Sequence, residues 1–198
     1  MYKKQMTFQR IVCILLVVAA ALVFIYSLGL MTDMYNGIYK SYRNGPRTGD
    51  AYKGTEIYLE MQPFNQQLTI LGIALILINL FNFVMGTNSR RKYYIGNYLS
   101  IALSTICNIG ASVWAVMTLM QYKNDYLTKI DWNNETLKKT VESRGGVLNN
   151  STFWFDVSYI VFGLVILFTV LLLVNLVLKI MMMRSEKSLI GKRKDVRA

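Results

Sequence analysis

Apolar residues fall into four long blocks, at about 11–31, 68–86, 99–120 and 157–178, and none of the blocks contains Asp, Glu, Lys or Arg. Roughly 20 consecutive, mainly apolar residues are needed to cross a hydrocarbon core about 30 Å thick, so each block predicts a transmembrane helix. Two longer polar stretches separate them, at about 32–67 and 121–156. In the first, Tyr35, Ile38, Tyr39 and Tyr42 recur at a helical spacing that continues span one beyond the membrane, and Asn44-Gly45-Pro46 ends it. Further on, Ile57, Leu59 and Met61 alternate with Glu56, Tyr58 and Glu60, a pattern that predicts a short strand or extended segment lying on the second loop. Pro63 then takes an early position in the helix leading into span two. The second stretch predicts a short amphipathic helix within Asn133-Asn134 to the Gly145-Gly146 pair. An Asn caps one end, Glu135 precedes Lys139 by one turn, and Trp132, Leu137 and Val141 are available to pack. The expected fold is all-α: a bundle of four transmembrane helices in a single membrane domain over 1–198, its two loops ordered into a small cap.

Composition supports the membrane class. Of the 198 residues, 54% are hydrophobic and only 17% charged, where an ordinary soluble domain carries about 25% charged residues. Lys3, Lys4 and Arg10 before span one would also suit a secretory signal, but the block is longer than the roughly 7–15 residues of such a core and no A-x-A site follows. It therefore reads as an uncleaved anchor. Charge sets the orientation. The N-terminus contributes Lys3, Lys4 and Arg10, and the tight connection between spans two and three contributes Arg90, Arg91 and Lys92. The tail at 179–198 adds Lys179, Arg184, Lys187, Lys192, Arg193, Lys194 and Arg197, against only Glu186 and Asp195. Basic and acidic residues balance in the two longer loops, so the whole net charge of +11 sits on one face. By the positive-inside rule that face is cytoplasmic, which predicts a multi-pass protein of the cell membrane with both termini inside. Three separate juxtamembrane clusters fit anionic lipid headgroups rather than nucleic acid. The tail segment 187–194 suits either lipid or a docking partner.

Candidate chemistry is sparse. There is no histidine, and the two cysteines, Cys13 and Cys107, sit inside apolar blocks as small hydrophobes. Imidazole metal sites, histidine-based acid–base chemistry and CxxC redox motifs are thereby excluded, and neither a catalytic residue nor a cofactor is expected. No ionisable residue lies at membrane depth; Asp156, preceded by Phe153, Trp154 and Phe155, reads as an interfacial residue and helix N-cap. The notable polar residues are Asn79 and Asn82 on span two, Asn108 on span three and Asn175 on span four. An amide in hydrocarbon needs a partner, so these four either tie the bundle together or contact a substrate or another membrane subunit. Ala19, Ala20 and Ala21, with Gly110, Ala111 and Ser112, mark expected close approaches of helices. Trp114 reads as core or lipid-facing, and Tyr93, Tyr94 and Tyr98 as an interfacial anchor. Outside, Tyr35, Tyr39, Tyr42, Tyr58 and Trp132 form a candidate interaction surface for sugars, peptides or a protein, or else pack within the cap. Asn134, Asn149 and Asn150 open N-x-S/T triplets, which matter only in a glycosylating pathway.

Several segments carry a resemblance. Thr7-Phe8-Gln9-Arg10 leads into span one, Met61-Gln62-Pro63-Phe64-Asn65 precedes span two, 91–98 opens span three and 151–156 opens span four. In these the chain resembles a family of uncharacterised four-span membrane proteins of Gram-positive, clostridia-like bacteria. Members look like companions of carbohydrate ABC-transporter permeases, which implies a partner without giving any residue a role. With no Walker A motif and no six-span permease core, the expected function is a non-catalytic accessory or structural subunit. The alternative is a small oligomeric transporter or channel for an uncharged solute; an enzyme fits least well. Expected partners are anionic lipid and another membrane protein or a second copy of the chain.

Overall fold

The computed structural model describes residues 2–44, 54, 56–88, 95–143 and 150–195, with side chains described over 4–30, 54, 56–57, 59–86, 95–139, 142–143 and 150–185. Every regular element among them is a helix: α1 (Tyr2–Asn44), α2 (Ile57–Asn88), α3 (Ile95–Lys129), α4 (Glu135–Glu142) and α5 (Phe153–Asp195). Four are long and apolar enough to cross a membrane, over Lys4–Leu30, Leu59–Gly86, Ile95–Lys129 and Phe153–Ser185. The chain packs into two compact units. The first comprises Met1–Ala20, Ala74–Gly110 and Leu164–Ala198, the second Ala21–Ile73 and Ala111–Gly163, and each long helix contributes a segment to both.

In the first unit the helix segments form a bundle whose buried stripes follow the helical repeat. Gln5, Gln9, Val12, Cys13 and Leu16 line α1, Ser100, Ile101, Ser104 and Asn108 line α3, and Val165, Thr169, Leu172, Asn175 and Lys179 line α5. Spacings of three and four keep one face of each helix on its neighbours. The opposite faces are apolar too, with Ile11, Ile14, Leu77, Phe81, Leu103, Ile106, Val170 and Val174 exposed. Where the surrounding solvent is lipid, apolar surface outside and polar groups inside is the favourable arrangement, because buried amides satisfy one another and aliphatic side chains meet acyl chains.

The second unit holds α4 and a group of packed aromatic rings. Asn134 caps α4, its Oδ1 accepting from the amides of Thr136 and Leu137 at 3.0 and 3.1 Å, and Leu137 is buried. Tyr126 packs against Trp132 and Phe155, with ring centroids 4.6 and 5.4 Å away. Trp132 also donates its indole N–H to the Tyr126 carbonyl at 3.2 Å. Gly54, at φ 89°, lies so close to the Lys129 carbonyl that a Cβ there would sit 2.0 Å from its oxygen, which brings the segment before α2 against the end of α3.

Four local expectations are corrected. The segment 56–61 is no strand: α2 begins at Ile57, Ile57 and Met61 are buried and Leu59 is 39% exposed. Six alternating residues are too few to separate period two from period 3.6, and Ile57, Met61, Phe64 and Leu68 form a helical stripe that buries more apolar surface. Pro63 consequently lies inside the helix rather than at its start. Asp156 is not an N-cap, because α5 already starts at Phe153; its carboxylate instead accepts from Thr152 Oγ1 at 2.7 Å and pairs with Lys123 at 2.6 Å. Gly110 is no close approach either, since a Cβ there would meet nothing within 4 Å. That role falls to Gly72, where a Cβ would come within 2.9 Å of Phe24 Cα and 3.0 Å of its backbone nitrogen. Ala19, Ala20, Ala111 and Ser112 are buried.

Candidate functional site: an amide network among the helices

In the first unit the polar side chains of four helices converge. Asn79 on α2 and Asn108 on α3 form a reciprocal amide pair, Asn79 Nδ2 donating to Asn108 Oδ1 at 3.0 Å and Asn108 Nδ2 to Asn79 Oδ1 at 3.1 Å. Ser104 Oγ donates to the same Asn79 oxygen at 2.7 Å, and the second Asn79 hydrogen goes to its own helix at Leu75 O, 2.9 Å away. Both N–H groups and the oxygen of Asn79 are thus satisfied, as a buried amide in hydrocarbon demands. One turn along α2, Asn82 Oδ1 lies 3.1 Å from Ser100 Oγ, which also lies 3.0 Å from the carbonyl of Asn97.

A second pair joins α1 to α3. Gln9 Nε2 donates to Asn97 Oδ1 at 2.7 Å, and Asn97 Nδ2 donates back to Gln9 Oε1 at 3.3 Å. Room for the Gln9 amide comes from Gly86, where a Cβ would lie 2.8 Å from Gln9 Nε2. Gln5, one turn before Gln9, donates to Asn175 Oδ1 on α5 at 2.9 Å, with Gln9 Oε1 3.4 Å from the same nitrogen. A continuous chain therefore runs from Asn175 through Gln5, Gln9 and Asn97 to Ser100 and Asn82. Interhelical hydrogen bonds of this type contribute about 0.6 kcal/mol each, up to about 1.7.

The network is not fully closed. Gln5 Oε1, Asn82 Nδ2, Asn175 Nδ2 and Thr105 Oγ1 are buried without a hydrogen-bond partner, as are both amide atoms of Asn65 in the second unit. One turn beyond Asn175, Lys179 is only 1% exposed. Its Nζ lies 4.6 Å above the ring centroid of Tyr98, and among the described residues no carboxylate pairs with it. Enclosing an ammonium group costs several kcal/mol even after relaxation, whereas a desolvated cation–π contact returns about 2. The ring alone does not balance the charge.

The apolar layer that accompanies these amides is equally well defined. Val12, Cys13, Leu16, Ile101 and Leu172 form a buried cluster, with Phe8, Phe83, Phe168, Leu171 and Leu176 packed around it. Among the described residues no three metal-ligating side chains come together.

All four asparagines singled out in the sequence, Asn79, Asn82, Asn108 and Asn175, thus lie in the first unit, fully buried and bonded to other helices. Of the candidate aromatic surface, Trp132 is half-buried against Tyr126; the side chains of Tyr35, Tyr39, Tyr42 and Tyr58, and of Val141, lie outside the described residues. Gln5, Gln9, Asn97 and Lys179 escaped sequence reasoning because they flank the apolar blocks. The available signal was spacing: Gln5 and Gln9 are one turn apart in phase with Val12 and Leu16, as Lys179 is with Asn175 and Leu172.

Four long apolar helices that bundle around buried amides define a multi-pass, four-span integral membrane protein. Comparison of the chain with protein-family models, curated proteins and solved structures finds no match.

Proposed function

We propose that the protein is a non-catalytic accessory or structural subunit of a larger membrane assembly, of which a bacterial carbohydrate ABC transporter is the leading candidate. The observation that supports this reading is the use made of the deep polar groups. Asn79 spends every hydrogen-bonding group within the chain, and Gln9 and Asn97 close on each other. The apolar cluster of Val12, Cys13, Leu16, Ile101 and Leu172 packs the same unit. A protein that conducts solute needs polar groups turned toward a hydrated path, whereas a subunit that acts by contact needs a rigid bundle.

In this reading both termini are cytoplasmic, following the +11 charge of one face. Trp132, packed on Tyr126, and α4 then lie outside, and a partner membrane protein is met there or along the apolar helix faces. Purification in mild detergent followed by mass spectrometry should recover a larger transporter with this chain, and deletion should alter that transporter's level or activity. Flux of an uncharged solute through liposomes holding the purified protein alone would replace this reading with that of a small oligomeric transporter.

A further inference from the structure

We propose that Lys179, Asn175 and Gln5 form a binding site for a phosphoester that carries a free hydroxyl group, either as a lipid headgroup or as a soluble molecule. Lys179 is enclosed with no carboxylate beside it among the described residues, and its ammonium lies over the Tyr98 ring. A buried charge of this kind calls for an anion. Asn175, one turn away on the same face of α5, keeps a buried Nδ2 hydrogen-bond donor without an acceptor. Gln5, bonded to Asn175 through its own Nε2, keeps a buried Oε1 acceptor without a donor. Two unmatched donor groups, one of them charged, fit the oxygens of a phosphate, and the unmatched acceptor fits a hydroxyl on the group that the phosphate carries.

Position favours the same ligand. Lys179 is the first charged residue after the apolar run 157–178, a length that brings a helix from one side of the hydrocarbon core to the headgroup level of the other. Lys4 stands next to Gln5 and Arg10 next to Gln9, so basic residues flank the site along α1. The proposal holds whichever assembly the protein belongs to, since it concerns the chain's own interior.

The test uses the full-length protein purified in detergent and titrated separately with phosphatidylglycerol, phosphatidylcholine, glycerol 3-phosphate and inorganic phosphate. Thermal unfolding and native mass spectrometry provide the readouts. Phosphatidylglycerol should raise the unfolding temperature and stay bound, phosphatidylcholine should do neither, and Lys179→Gln should weaken the phosphatidylglycerol response at least tenfold. A response to glycerol 3-phosphate as well assigns the site to soluble phosphoesters, and a response to phosphatidylglycerol alone assigns it to lipid. Asn175→Asp supplies an internal counter-ion while keeping the acceptor for Gln5, so it should raise the unfolding temperature without ligand and abolish the response. This variant carries the test if Lys179→Gln fails to fold. Equal responses to the two lipids, equal responses of wild type and Lys179→Gln, a response retained in Asn175→Asp, or no response to any probe would overturn the proposal.

Discussion

Removing either member of the Asn79–Asn108 pair takes away the same two hydrogen bonds, yet the two losses should differ in size. Asn108→Leu eliminates the reciprocal amide contact and the 3.3 Å bond from Asn108 Nδ2 to Ser104 Oγ on its own helix, but leaves Asn79 with Ser104 Oγ at 2.7 Å and Leu75 O at 2.9 Å. At about 0.6 kcal/mol per interhelical bond the expected cost is about 1 kcal/mol. Asn79→Leu removes four side-chain bonds at once, takes the acceptor away from the Ser104 hydroxyl and leaves the Asn108 oxygen without its Asn79 donor. A buried polar group deprived of its partner adds about 1–3 kcal/mol, so Asn79→Leu should cost about 2–4 kcal/mol. The double variant Asn79→Leu/Asn108→Leu replaces both amides with groups that pack in hydrocarbon, and should be less destabilised than the sum of the singles, with a coupling energy of about 1–2 kcal/mol. Reversible unfolding in bicelles, followed by steric trapping, measures all three. A coupling energy indistinguishable from zero, or Asn108→Leu costing more than Asn79→Leu, would refute the reasoning from shared partners.

Other expectations concern packing and charge. Gly72→Ala places a methyl group 2.9 Å from Phe24 Cα, backbone that cannot swing aside, and should destabilise by about 1–3 kcal/mol. Gly110→Ala meets nothing within 4 Å and gains helix propensity, so it should be neutral or stabilising by up to about 1 kcal/mol in the same unfolding assay. The Lys123–Asp156 ion pair at 2.6 Å joins a half-buried lysine to an exposed carboxylate; Asp156→Asn should leave unfolding nearly unchanged at any salt concentration, since pairs open to solvent contribute little.

Apolar blocks free of charge are a strong signal because the bilayer tolerates nothing else, and α1, α2, α3 and α5 cover all four of them. Asn79 and Asn108 were legible for the same reason, as amides standing alone in apolar runs. Gln5, Gln9 and Lys179 were not, because a block's edge is drawn by hydropathy while burial depends on how far the helix extends, and α1 and α5 run well past their blocks. A lysine just after an apolar run carries the same signature whether it marks topology or lies enclosed against a tyrosine ring. The alternation at 56–61 failed because it is short and a helical stripe shares its residues. Gly72 and Gly110 are indistinguishable by sequence; only the path of the neighbouring helix decides which one needs to lack a side chain.

In the proposed topology the chain crosses the membrane four times with its basic face and both termini inside. Single cysteines introduced at Lys53, Arg91, Lys138 and Lys192, with Cys13 and Cys107 replaced by Ala, report this directly when an impermeant maleimide is applied to intact cells. Positions 53 and 138 should be labelled, with positions 91 and 192 reacting only after the membrane is opened. Labelling at 192 in intact cells, or protection at 138, would contradict it.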